Sequence, residues 1–63
     1  MTIVKVVYET WMGDIEEMDV TSSNCVSLES SKPDCQLVNI AINYVRSIKK
    51  AYFRLLKVEI IAR

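Results

Sequence analysis

Residues 2–12 read Thr-Ile-Val-Lys-Val-Val-Tyr-Glu-Thr-Trp-Met, a stretch dense in β-branched and aromatic side chains. Apolar residues dominate its even positions, whereas the odd positions are mixed. The even face is Val4, Val6, Tyr8, Thr10 and Met12, and the odd face is Ile3, Lys5, Val7, Glu9 and Trp11. Alternation with a period of two predicts a β-strand over 2–12 with its even face toward a core.

The chain's only glycine, Gly13, follows this stretch and is suited to the positive φ of a tight hairpin turn. Alternation then resumes, with Met18 and Val20 on the inner face. We therefore expect a second strand over 15–29, antiparallel to the first. A break is possible at 21–24, because Thr-Ser-Ser-Asn favours turns.

From Asp34 the spacing changes to that of a helix, predicted over 34–54. Ser31 and Asp34 are spaced as in a capping box, and Pro33 is tolerated in a first turn. The apolar side comprises Val38, Ala41, Ile42, Val45, Ile48 and Tyr52, and the polar stripe comprises Gln36, Asn39, Asn43, Arg46, Ser47, Lys50 and Arg54. A third strand is predicted over 56–62, with Leu56, Val58, Ile60 and Ala62 inward.

The order strand, strand, helix, strand predicts a single α+β domain over residues 1–63. Its simplest closed form is a two-layer β-β-α-β arrangement, with one helix packed on one face of a three-stranded antiparallel sheet. The first strand is the most apolar on both faces. We therefore expect it in the centre, in the order 2-1-3.

Histidine is absent from the 63 residues, which removes imidazole bases, His-activated nucleophiles and the usual zinc and haem ligands. The carboxylates of the predicted hairpin lack a pocket that would shift a pKa. Cys25 and Cys35 match no metal-site spacing, and we expect reduced thiols, with a bridge between them as the alternative. The sequence thus predicts no enzyme, no catalytic residue, no metal and no cofactor.

The start of the chain lacks the basic segment of a signal peptide, and no apolar run approaches the roughly 18 residues that cross a bilayer. We expect a cytoplasmic protein without membrane contact. Residues 1–34 carry seven acidic and two basic side chains, a net charge of −5, whereas residues 35–63 carry six basic and one acidic, +5. This asymmetry indicates either charged partners or attraction between the two halves of the fold.

Several short segments together resemble the Dmd antitoxin of T-even bacteriophages, which neutralises host RNase toxins of the RnlA and LsoA kind. These segments are the run Ile3–Tyr8 with Trp11 following it, Asp34-Cys35-Gln36, Val45, Phe53, and Lys57-Val58 with the terminal Arg63. The resemblance spans most of the chain at low identity. It implies a toxin as partner, in the cytoplasm of an infected bacterium.

Two departures from the family pattern bear on that partner. The region between Gly13 and the helix is longer here, and Leu37 stands where a bulky aromatic residue is expected. If that aromatic anchors the toxin, the resemblance implies toxin contact at Leu37, with a changed partner or pose.

The odd face of the first strand provides the predicted docking surface, because an outward Trp11 beside Ile3 and Val7 is typical of an interaction site. The acidic hairpin complements the positive cleft that an RNase needs for phosphates, and would speed the encounter. The expected partner-binding residues are Val7, Glu9, Trp11, Asp14, Glu16, Glu17, Asp19 and Leu37.

Three alternatives remain open. A basic helix face of Arg46, Lys50 and Arg54, flanked by Lys49 and Lys57, would serve a small nucleic-acid-binding module. The neutral net charge and the missing aromatic motif argue against direct nucleic-acid binding. A homo-oligomer would cover the outer sheet face or an edge strand with a second copy. In a plain structural role, Trp11 would close the open end of the core.

Overall fold

The computed structural model describes residues 1–49 and 53–63. Its elements are the strands β1 (Ile3–Thr10) and β2 (Ile15–Thr21), the helix α1 (Asp34–Ile48) and the strand β3 (Phe53–Ala62). The strand order is β2-β1-β3, and β1 is antiparallel to both neighbours. The predicted α+β architecture, with its antiparallel sheet in the order 2-1-3, is confirmed.

The alternation of β1 determines which sheet face meets the helix. Val4, Val6 and Tyr8 are buried, whereas the odd positions from Ile3 to Glu9 are only half-buried. The predicted inner face is therefore confirmed up to Tyr8. Met12 is a correction, because the strand ends at Thr10 and the Met12 side chain is exposed.

The hairpin turn has a three-residue loop, Trp11-Met12-Gly13. The Thr10 backbone N–H donates to the Asp14 carbonyl at 2.8 Å, and the Gly13 N–H donates to the Thr10 carbonyl at 2.9 Å. Gly13 adopts φ +89°, as predicted. This is the three-residue hairpin connection in which a turn is followed by a glycine in the left-handed region. It places Trp11 and Met12 at the apex, outside both strands.

The second strand is shorter than predicted, since β2 ends at Thr21 and turns follow it. The Asn24 N–H donates to the Thr21 hydroxyl at 3.3 Å, and the Cys25 N–H donates to the Thr21 carbonyl at 2.9 Å. These local bonds compete with strand pairing, so the expected extension to residue 29 is wrong. Leu28, within this irregular segment, is buried in the core.

The helix begins as predicted at Asp34, but Pro33 is its N-cap and makes no side-chain capping bond, so the capping box at Ser31 is wrong. Its end is also corrected. The helix ends at Ile48, and the predicted helical residues Phe53 and Arg54 belong to β3, where they pair with Thr10 and Glu9. Lys50 and Tyr52 of the predicted helix lie outside the described residues.

The buried stripe of α1 is Leu37, Ala41 and Val45, at i, i+4 spacing. The predicted apolar side shares Ala41 and Val45 with it but omits Leu37. The stripe is therefore rotated toward Leu37, and Ile48, expected inward, is half-exposed.

Two irregularities break the register between β1 and β3, one between Ile3 and Val4 and one between Val7 and Tyr8. Val7 pairs with Lys57 but Tyr8 pairs with Leu55, so Leu56 is an extra residue on β3. Leu56 is 44% exposed, contrary to its predicted inward position. Val58 and Ile60, beyond this bulge, pack against the core as predicted.

Contacts between the acidic and basic halves of the chain stabilise the fold. Arg63 forms an ion pair with Asp34 and donates to the Ser30 and Lys32 carbonyls. Thr2 Oγ1 donates to the Arg63 carbonyl at 3.3 Å, which joins the residue before β1 to the residue after β3. Some of the opposite charges in the two halves of the chain therefore pair with each other within the domain.

Candidate interaction surface

Three large apolar side chains project from the hairpin turn and its immediate flank. Trp11 is 71% exposed, Met12 69% and Ile15 67%. We call these three residues the hairpin tip. Trp11 and Met12 lie in the turn, whereas Ile15 begins β2 and, as the cross-strand partner of Glu9, lies on the outer sheet face. Exposed apolar side chains with a tryptophan among them are typical of interaction sites.

An open cleft of about 220 Å³ lies beside the hairpin tip. Tyr8 and Phe53 form an aromatic pair in its wall, with ring centroids 5.4 Å apart at an interplanar angle of 63°. Such edge-to-face pairs are favourable beyond the area they bury. The cleft is lined by Tyr8, Thr10, Trp11, Met12, Asp14, Glu16, Lys49 and Phe53.

A polar cluster fixes the wall of this cleft. The Tyr8 hydroxyl donates a hydrogen bond to Glu16 Oε1 at 3.0 Å, and Lys49 Nζ lies 3.6 Å from the same oxygen. Lys49 Nζ also lies 6.0 Å from the centroid of the Tyr8 ring, at the outer limit of a cation–π contact. Burial raises the pKa of Tyr8, the bond to Glu16 adds to this, and the charge of Lys49 opposes it.

Trp11 does not lie where the sequence predicted. It was expected on the outer sheet face with Ile3 and Val7, but β1 ends before it and its side chain lines the cleft. The expected stripe on the outer face is therefore corrected. Trp11 is not among the side chains that pack against the core, and most of its surface is exposed.

The outer sheet face is dominated by charges. Val7 is half-buried between Glu17 on β2 and Lys57 on β3. Lys5 stands between Asp19 and Glu59, and its Nζ lies 3.9 Å from Glu17 Oε2. Rows of alternating charge are typical of a solvated sheet face.

The acidic residues expected to bind the partner divide into two groups. Asp14 and Glu16 line the cleft beside the hairpin tip. Glu9, Glu17 and Asp19 occupy the outer face, where Glu9 pairs with Arg54 across the strands. Only the first group shares a surface with Trp11.

Leu37 is a correction among the expected partner contacts. Its side chain is fully buried and belongs to the core stripe of α1. A partner would reach it only if the helix left the sheet.

The expected basic helix face is not one surface. Arg46 is exposed on α1, whereas Arg54 and Lys57 belong to β3. Lys49 is engaged with Glu16, and Lys50 lies outside the described residues. The charges that a nucleic-acid-binding module would need are therefore dispersed.

Residues 1–49 and 53–63 contain no group of three or more His, Cys, Asp or Glu side chains placed to hold a metal ion. Cys25 is half-buried and Cys35 exposed, and both are free thiols. Within the same ranges, no helix has the length and hydropathy to span a bilayer.

Met12 and Ile15 are exposed apolar residues that were not among the expected partner-binding residues. Met12 was assigned to the core because it continues the even alternation of β1. A usable signal was present in Gly13. A glycine at the third position of a three-residue hairpin loop places the two residues before it at the apex.

No protein-family model, no curated protein and no solved structure matches the chain.

Proposed function

We propose that this protein is a phage-encoded inhibitor that binds a bacterial endoribonuclease toxin of the RnlA or LsoA kind and blocks its RNA-binding cleft. It acts in the cytoplasm of the infected host. The observation that carries a protein-binding role is the hairpin tip, with Trp11, Met12 and Ile15 each about two-thirds exposed or more. The kind of partner follows from the sequence resemblance.

The hairpin tip suits docking because its backbone is already ordered. Hydrogen bonds join Thr10 to both Asp14 and Gly13, and the Asp14 N–H donates to the Thr10 hydroxyl at 3.2 Å. A preorganised turn loses little conformational freedom on binding. Its apolar side chains are therefore free to contribute their burial to affinity.

Acidic groups beside the apolar tip suit a positively charged partner. Asp14 is exposed in the turn, and Glu16 lines the adjoining cleft. An RNase cleft that holds phosphates is positive, so this arrangement favours encounter and orientation.

Co-purification from cells that express an RnlA- or LsoA-type toxin tests the proposal, together with rescue of their growth. Trp11→Ala should abolish rescue, whereas Val26→Ala should preserve it, because Val26 is also apolar and 87% exposed but lies outside the hairpin tip. Absence of a complex at micromolar concentrations, with no rescue by the unmodified chain, would refute the proposal. A salt-sensitive shift of labelled RNA would instead indicate the nucleic-acid-binding alternative.

A further inference from the structure

The two edges of the sheet differ in charge. On β2, the exposed side chains between Ile15 and Thr21 include Glu16, Glu17 and Asp19, and none of them is basic. Two copies of this edge would bring like charges together. β3 instead carries Lys57 and Glu59 on the same face, with their charged atoms 3.7 Å apart.

Successive residues of an antiparallel strand direct their backbone hydrogen bonds to opposite sides, and this alternation shows which backbone groups of β3 point away from the sheet. Thr10 donates to Asp14, so the even residues of β1 bond toward β2 and the odd residues toward β3. Lys57 and Glu59 face the odd residues Val7 and Lys5 and therefore bond to β1. The N–H and C=O groups of Val58 and Ile60 point outward, with no strand beyond them in the described part of the chain.

We infer that the β3 edge binds a second copy of this chain, antiparallel and in register about Val58. In this register Val58 faces the partner's Val58, and the free backbone groups of both strands exchange hydrogen bonds. Lys57 then stands opposite the partner's Glu59, and Glu59 opposite the partner's Lys57.

Charge complementarity selects this register and this occupant. The Lys–Glu pairs occur twice about a two-fold axis, so the contact closes at two subunits. Opposite charges that face each other across strands stabilise the pairing, and like charges oppose it. A shift to an axis at Ile60 would place Lys57 opposite the partner's Arg63.

The apolar residues along β3 fit the same arrangement. Leu56 and Ile61, the extra residues at the two register shifts of β3, flank the segment that would pair with the partner. Leu55, Leu56 and Ile61 are each exposed in the single subunit. The dimer covers apolar surface that the single helix leaves open.

Amide hydrogen exchange on the unmodified protein tests the geometry. At concentrations where sedimentation shows two chains, the Val58 and Ile60 amides should exchange slowly, and dilution to the single chain should speed their exchange. The Lys57 and Glu59 amides, bonded to β1, should stay protected throughout. A single-chain mass up to millimolar concentration, or a dimer without added protection at Val58 and Ile60, would overturn the inference.

Charge reversal provides an independent check. Lys57→Glu and Glu59→Lys should each weaken self-association by about tenfold or more, since each replaces two attractive pairs with two repulsive ones. Mixing the two variants should restore a dimer of one chain of each. Arg46→Glu, on the exposed part of α1, is the matched control and should leave the dimer unchanged. Failure of the mixture to associate, with both variants folded by circular dichroism, would contradict the proposed register.

This test is independent of any toxin. The dimer can be present while toxin binding fails, and toxin binding can hold while the chain stays single.

Discussion

The Tyr8 hydroxyl and the Glu16 carboxylate meet across the β1–β2 hairpin at 3.0 Å, and Lys49 approaches the same carboxylate from the end of α1. This contact links β1, β2 and the end of α1 at the edge of the core. Glu16, expected to bind the partner, is thus a hydrogen-bond acceptor within the domain and lines the cleft beside the hairpin tip.

Because of Tyr8, the free energy of unfolding should fall as the pH becomes alkaline. The raised pKa of Tyr8 means that the folded state holds the phenolic proton more tightly than the unfolded chain, whose ordinary value is 10.0. The stabilisation that this proton provides is fully present below pH 10.0, the unfolded pKa. It declines as the pH rises through the higher pKa of the folded state. Tyr8→Phe should cost about 0.5–1.5 kcal/mol near neutrality, and this deficit should shrink at high pH.

Denaturant unfolding of both proteins at pH values from neutral to alkaline measures this effect. A deficit for Tyr8→Phe that stays constant across the range would show that the hydroxyl proton is not held more tightly in the folded state.

Trp11→Ala should weaken toxin binding and spare stability, whereas Leu37→Ala should lower stability. Trp11 is largely exposed, so its loss should leave the melting temperature nearly unchanged but weaken toxin binding by about 2–4 kcal/mol. Leu37 is fully buried, so its truncation should lower the free energy of unfolding by about 2–5 kcal/mol. Calorimetry of unfolding and of binding separates the two. If Trp11→Ala melts the domain, the tip belongs to the core and not to an interface.

Asp14 should act mainly on the rate at which the protein associates with the toxin. Asp14→Lys reverses a charge beside the hairpin tip, and rim charges influence the encounter more than the docked complex. We expect slower association with a weaker salt dependence, measured by surface plasmon resonance. Glu29→Lys makes the same change on an exposed residue of the irregular segment, outside the cleft, and should have a smaller effect. Equal slowing by both variants would indicate net charge alone.

The Arg63 contacts should contribute modestly to stability. The guanidinium bonds the Asp34 carboxylate and two carbonyls, but both charged side chains are substantially exposed. Arg63→Ala should therefore cost about 1 kcal/mol or less. Arg63→Lys should recover only part of it, because an ammonium lacks the planar fork of donors. Full recovery in denaturant unfolding would show that charge alone suffices.

The sequence was sufficient to predict those elements that depend on a local pattern of residues. Val4, Val6 and Tyr8 alternate strictly, and Gly13 can adopt the conformation that the turn requires. Both features predict the central hairpin without knowledge of distant residues. The position of β1 in the sheet follows from the apolar character of both of its faces.

Other parts depend on contacts that no local pattern contains. Phe53 continues the helical spacing of α1, yet it pairs with Thr10 and packs on the Tyr8 ring, residues more than 40 positions earlier. Leu28 enters the core from a segment without periodicity. The cleft was unpredictable for the same reason, because it forms only where the turn, Lys49 and Phe53 come together.

The central position of β1 also affects the order of folding. Its pairing with β2 closes through a short turn, whereas its pairing with β3 joins Ile3 to Ala62 and closes nearly the whole chain into a loop. Loop closure of this length costs entropy before any contact compensates it. During synthesis, one side of β1 therefore lacks its partner until β3 has left the ribosome.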